Sequence, residues 1–311
     1  MKKRNCPVCD SMEAKIIMSF TPELLTEVNK GYRPEVFKEA VKGKEEFITY
    51  SKCRNCSMVY CENVWDDNTL KKIYEDTIDH AIGEDAAISI QKRMSMNRIW
   101  INILRILKLL GKKKIEDFKI IDYGSGWGDF LDVVDVFGVS VVGYERDSLR
   151  IAFAKERGQR IVTDIDELKS FGPVDVIVMT SVLEHLQDVD DVLNLTKEIL
   201  RPGGLFVFSV MDYRPQYLKK NINRLEKKLP ALTKNLNPVE HVNIYDYKSV
   251  MATLDKYNYE FISTGYVLHL TDNLFTRNSM GFIKYLNWIE WLSTYFITWK
   301  DLSIAVYLLN K

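Results

Sequence analysis

Residues 119–129, KIIDYGSGWGD, decide how the rest of the 311-residue chain is read. Lys119 to Tyr123 is the apolar run of a buried strand, and a helical pattern opens at Asp129. Between them Gly124, Gly126 and Gly128 alternate with Ser125 and Trp127. Glycines let a backbone turn sharply and approach a ligand with no β-carbon in the way. The spacing is GxGxG, whereas dinucleotide folds that bind a pyrophosphate use GxGxxG. Working outward, the runs 140–144 (SVVGY), 160–163 (RIVT), 174–180 (VDVIVMT) and 204–210 (GLFVFSV) read as further buried parallel strands. Helical patterns near 129–137, 147–157 and 188–200 separate them. Such alternation requires right-handed crossovers, hence an α/β, Rossmann-like, doubly wound sheet. Sheets of this kind bind ligands at the carboxyl ends of their strands.

Those ends carry the chemistry. Glu145 closes the second strand, where a carboxylate can accept from both hydroxyls of a ribose. Asp122 is placed to orient the glycine loop or to meet an ammonium group. Asp164, just past the third strand, is placed to meet an adenine amino group; an exposed loop aspartate is the alternative. The fourth strand runs into Ser181-Val-Leu-Glu184-His185-Leu186, and Arg201-Pro-Gly-Gly204 leads into the fifth. IIDYGSGWG, GYERD, LEHL and LRPGG, in this order, resemble the class I S-adenosylmethionine-dependent methyltransferases over about 116–210. The resemblance implies a seven-stranded sheet with an antiparallel last strand and a methyl donor lying over Gly124–Gly128. It implies donor contacts from Asp122, Tyr123, Gly124, Ser125, Gly126, Trp127, Gly128, Glu145, Arg146, Asp164 and Ser181. For Trp127 two readings stand: a cation–π contact with the sulfonium, worth roughly 0.5–2 kcal/mol, or a ring packed on the next helix.

The first part of the chain is built differently. Cys6-x-x-Cys9 and Cys53-x-x-Cys56 are two knuckles with 43 residues between them. Four thiolates so arranged complete a tetrahedral site that favours Zn²⁺, and a closed four-cysteine site is structural. Cys61 is left over as a small core residue. The text Cys53-Arg-Asn-Cys56-Ser-Met-Val-Tyr60, followed by VWDDNTLKKIY, is similar to the N-terminal ribbon of methyltransferases of bacterial polysaccharide and antibiotic-sugar pathways, nucleotide-sugar C-methyltransferases among them. The resemblance implies a sugar-nucleotide or glycan-pathway acceptor. Those C-methyltransferases carry a further C-terminal domain that this sequence lacks, which turns the expectation to O- or N-methylation.

Methyl transfer to a hydroxyl needs a group that removes its proton. Of the four histidines, His241 follows Glu240 in NPVEHVNIYDY and matches a Glu-His pair of the C-methyltransferases. On that resemblance His241 is the general base and Glu240 its companion; a histidine that fixes the loop is the alternative. His185 stands at the rim of the same cleft, where it either takes a catalytic part or binds the donor or holds structure.

Forty-three Lys and Arg balance forty-three Asp and Glu, for a net charge of +0. A protein gripping long nucleic acid through phosphates carries a basic excess, so an RNA methyltransferase is the weaker alternative. A non-catalytic donor-binding protein is a third reading, opposed by the complete glycine loop and Glu145. Hydrophobic residues at 46% and charged residues at 28% describe a globular enzyme. MKKRNCPVCD has no apolar run behind its charges and reads as no secretion signal, giving a cytoplasmic expectation. The segment 281–299 repeats polar residues every three or four positions, an amphipathic helix and no membrane span. It covers the sheet or a dimer surface, or else lines the acceptor site or touches a membrane surface. The domain reading is a zinc module at 1–75, a helical linker or cap at 76–115, and the methyltransferase domain at 116–311 with a helical insertion at 270–300.

Overall fold

A computed structural model of the chain describes residues 2–28, 48–66, 69, 90–109, 114–211, 236–264 and 303–310. The helix expected at 281–299 and the insertion 270–300 lie outside the described residues. In chain order the strands are β1 (Lys2–Lys3), β2 (Ala14–Phe20), β3 (Ile48–Cys53), β4 (Val59–Cys61), β5 (Asn63–Val64), β6 (Lys119–Tyr123) and β7 (Ser140–Tyr144). They continue with β8 (Ile161–Val162), β9 (Val174–Thr180), β10 (Leu200–Met211), β11 (Asn243–Ile244), β12 (Tyr259–Thr264) and β13 (Ser303–Asn310). The described residues form two compact units. Unit 1 takes those of Met1–His80, Leu183–Val192 and Met211–Lys256; unit 2 takes those of Ala81–Val182, Leu193–Val210 and Tyr257–Lys311.

Unit 2 holds a sheet in the order β12-β13-β10-β9-β6-β7-β8. Its five consecutive strands from β10 to the β8 edge pair in parallel, β6 with β7 and β9, β7 with β8, and β9 with β10; β12 pairs antiparallel with β13. Strands covered on both faces read as unbroken apolar runs, and Ile120, Ile121, Val176, Ile177 and Val178 are all buried. On one face Trp100, Ile103 and Leu107 of the helix Ile90–Leu109 join Phe130, Val133 and Val134 against Ile120, Val176, Val178 and Leu205. Further along the same face, Leu131, Ala154 and Ile161 pack together. Each such side chain contributes roughly 1.5–3 kcal/mol when fully buried. This is the Rossmann-like class I methyltransferase fold expected from the sequence. Within unit 2 the structure adds one helix that the sequence pattern does not announce, Ile165–Phe171, a short and mostly polar turn of chain capped by Asp164.

Unit 1 is an antiparallel sheet, β11-β4-β3-β2, beside the pair β1-β5. The β3–β4 hairpin carries the second cysteine knuckle, and β2 pairs with β3 from Ala14↔Cys53 to Phe20↔Ile48. Phe20, Ile48, Tyr50, Val59 and Trp65 form its core together with Leu236, Val239, Val242 and Ile244. The stretch around Glu240 and His241 thus shares one core with the cysteine module.

Candidate functional site

Gly124, Gly126 and Gly128 all take left-handed backbone angles, with φ of 75°, 56° and 81°, which only glycine adopts without strain. The loop is pinned from below at two points. The N–H groups of Gly124 and Ser125 both donate to the Tyr144 carbonyl, at 2.8 and 3.0 Å. Glu145, buried at the end of β7, accepts from Gly126 N–H through Oε2 (2.8 Å) and from Arg146 and Asp147 N–H through Oε1 (2.8 and 3.0 Å). The far end of the loop is held by a clamp absent from the sequence expectations: Arg157 donates to the Trp127 carbonyl and Gln159 to the Gly128 carbonyl, both at 2.9 Å. Both clamp residues also bond Asp132 on the helix after the loop. Their residue types are those of an ordinary surface, so nothing in the sequence marks them.

The upper side of this loop fits a nucleoside. A β-carbon built on Gly126 meets nothing within 4 Å, whereas one on Gly124 would strike Val182 at 2.6 Å and one on Gly128 would run into Gln159. Ser125 Oγ is buried without a hydrogen-bond partner among the described residues. Asp122 and Tyr123 are buried at the end of β6, and Tyr123 lies 4.7 Å from Tyr144 between ring centroids. Burial pushes both phenols above their usual range. Trp127 is buried against Phe153 (5.2 Å, edge-on) and Arg150 (5.8 Å). Arg146 and Ser181 are exposed, and Ser181 takes φ 53° just past β9 with its N–H donating to Ser209. Asp164 is exposed and caps the helix Ile165–Phe171, accepting from Asp166 and Glu167 N–H at 2.8 and 3.1 Å.

In unit 1 the four knuckle cysteines come together, every sulfur within 4.8 Å of the others. Cys6 and Cys56 Sγ are 3.4 Å apart, and Cys9 and Cys53 Sγ 3.5 Å. A disulfide would need about 2.0 Å; tetrahedral Zn–S bonds of about 2.3 Å put sulfurs about 3.8 Å apart. The set therefore fits a zinc ion. The hydrogen bond with Cys56 holds the Cys6 thiol below its ordinary value, and Asn55 N–H supports Cys53 Sγ at 3.3 Å. Cys61 stands apart in the core, its thiol pushed up to about 12 by burial.

The acid–base candidates also meet in unit 1. The His185 and His241 rings lie 4.8 Å apart, tilted by 45°. His185 Nδ1 is 2.7 Å from the Glu240 carbonyl. A carbonyl only accepts, so Nδ1 carries the hydrogen and the neutral ring keeps its lone pair on Nε2. His241 is buried; its backbone N–H donates to the Asn237 carbonyl (2.8 Å), and its backbone carbonyl accepts from the Tyr50 hydroxyl (2.5 Å). Glu184 is buried in the same unit, although the sequence expectations give it no role. Tyr245 is buried with its phenol driven above the usual range, by burial first and then by the Glu184 charge.

A parallel sheet with a glycine loop at one strand end and a buried acid at the next defines a nucleoside-binding domain of the class I methyltransferase type. Residues 95–264, more than half of the chain, match the family described as a methyltransferase domain, and the chain belongs to that family. It is similar to the ubiquinone biosynthesis O-methyltransferase of Colwellia psychrerythraea, 28% identical over 118 residues covering 35% of this chain and 48% of the relative. The enzyme of the same description from a Bradyrhizobium species is 30% identical over 105 residues, 32% of this chain and 42% of the relative. The chain spans about half the length of the curated relatives it matches. Among solved structures, the plantazolicin methyltransferase BpumL, in complex with a monoazolic desmethyl analog and SAH, shares the fold. It is 14% identical, with a TM-score of 0.50 over 77% of this chain and 93% of that one. No helix among the described residues is long and apolar enough to cross a membrane.

Proposed function

We propose that this protein transfers a methyl group from S-adenosylmethionine to an oxygen of a small molecule, and that the His185–His241 pair handles the acceptor's proton. The donor supplies a methyl already activated on a sulfonium, so the protein's own work is to bind, align and deprotonate. Glu145 is the ribose partner in this reading, with the loop 124–128 beneath the nucleoside and Asp122, Tyr123, Trp127, Arg146, Asp164 and Ser181 around it. Cys6, Cys9, Cys53 and Cys56 hold a structural Zn²⁺, within the module proposed at 1–75. The observation that carries the acid–base part is the His185 Nδ1–Glu240 carbonyl bond, which fixes the tautomer and orientation of one ring of a contacting pair. His241 takes the proton and Glu240 orients the pair.

The relatives' printed names support O-methylation and say nothing of a sugar. A sugar or glycan hydroxyl is the acceptor that the ribbon resemblance suggests; the relatives' names point to an intermediate of ubiquinone biosynthesis, for which catechols serve as hydroxylated-ring probes. Radiolabelled methyl transfer to two panels, catechols and nucleotide hexoses, separates them. Transfer to either, falling about a hundredfold or more in His241→Gln with donor affinity unchanged, is the expected result. Undiminished transfer in His241→Gln would remove His241 from the chemistry.

A further inference from the structure

Arg4 stands two residues ahead of the first cysteine, in a basic start that as sequence reads only as charge. Its guanidinium touches all three segments of unit 1. Nε donates to the Cys61 carbonyl (2.8 Å), Nη1 to the Gln187 carbonyl (2.8 Å), and Nη2 to the Val242 carbonyl (2.7 Å) and Asn243 Oδ1 (2.9 Å). Asn243 extends the strap: its Nδ2 donates to the Leu183 and Leu186 carbonyls at 2.9 and 2.6 Å, and its backbone N–H to the Glu184 carbonyl at 3.0 Å. Gln187 comes two residues after His185, and Val242 directly follows His241.

A cation enclosed among carbonyls is costly, since each buried charge loses several kcal/mol of hydration before its hydrogen bonds are counted. An apolar side chain would fill the same space without that cost, but only a rigid fork of N–H groups can tie three separate stretches of backbone at once.

We infer that Arg4 is a positioning residue for the acid–base pair, its guanidinium fixing the backbone after both His185 and His241 and so the contact of the two rings. The inference rests on the proposed use of that pair in methyl transfer. The cysteine module thereby serves the acid–base pair, since the knuckle that begins at Cys6 holds the strand of chain from which Arg4 reaches out.

The test uses the full-length, zinc-loaded protein labelled at histidine with ¹³C and ¹⁵N. The four histidines give four imidazole signals, and His185→Gln and His241→Gln assign two of them. In Arg4→Gln the titration midpoints of His185 and His241 are expected to move by roughly one unit, and His185 to lose its preference for hydrogen on Nδ1. The signals of His80 and His269, the zinc content and the affinity for S-adenosylmethionine should hold. Arg4→Lys keeps a charge without the fork and should behave like Arg4→Gln. Parent-like titration of both histidines in folded, zinc-loaded Arg4→Gln overturns the inference. Should that variant not fold, Asn243→Ala cuts the second arm of the strap and is read in the same way. Transfer to the catechol and hexose probes separates this inference from the reading beneath it. If His241→Gln loses transfer while the Arg4 variants leave both rings unmoved, the strap falls and the acid–base reading stands. If the rings move and transfer does not fall, the strap stands and the acid–base reading falls.

Discussion

The Glu145 carboxylate accepts from three backbone N–H groups, so an amide in its place turns its own N–H toward at least one of them. Charge-assisted bonds of this kind are worth about 1.5–3 kcal/mol each. Glu145→Gln is therefore expected to weaken S-adenosylmethionine binding about tenfold to a hundredfold by calorimetric titration; parent-like affinity would free Glu145 of that role. Gly126 and Gly128 form a contrasting pair. Both carry positive φ, so alanine costs more than about 1 kcal/mol of stability at either. The new methyl at 128 also strikes Gln159, while at 126 it enters open space. Urea unfolding should find Gly128→Ala the less stable, and calorimetry should find that Gly126→Ala still folds but binds donor poorly. Loop and acid are legible in the sequence because each sits at a strand end, where a few consecutive residues declare the motif. Arg157 and Gln159 are not, because the carbonyls they clamp lie some thirty positions away in the chain.

At the scale of elements, the β2–β3–β4 sheet owes its ends to the cysteines: Cys53 closes β3 opposite Ala14, and Cys56 sits in the turn before β4. Removing the proposed Zn²⁺ would leave thiols at contact distance with nothing to bind them. Chelation is expected to reduce strand content in circular dichroism and to open four thiols to alkylation. Cys61 should react later than these four. With its pKa at about 12, its thiolate is scarce at neutral pH, and the fraction rises only as pH climbs toward that value. Mass spectrometry of the alkylated protein checks this, and early labelling of Cys61 would place it outside the core. The parallel strands of unit 2 are readable as apolar runs because both of their faces are covered. β4, β5 and β11 escape notice, since two or three residues show no period, and the helix Ile165–Phe171 is hidden by its polar composition.

On the scale of the whole molecule, unit 1 draws on three stretches of chain and unit 2 on three more, interleaved. Ligands that bind only a folded state stabilise it in proportion to the logarithm of their concentration, about 2.7 kcal/mol at a hundred times Kd. Calorimetric melting is expected to show two transitions, one raised by zinc and the other by S-adenosylmethionine. A single transition moved equally by both would mean that the units unfold as one. The sequence marks the cysteine module as distinct. That Leu183–Val192 and the residues around His241 belong with it is beyond sequence reading, because the contacts that join them span up to 239 positions, as between Arg4 and Asn243.

That interleaving decides what can be cut out of the chain. β11, at Asn243–Ile244, is a strand of the cysteine module's own sheet although it lies far downstream of the donor loop. A fragment ending at residue 75 would leave the outer edge of β4 without its partner strand, and an exposed strand edge is a template for pairing with another chain.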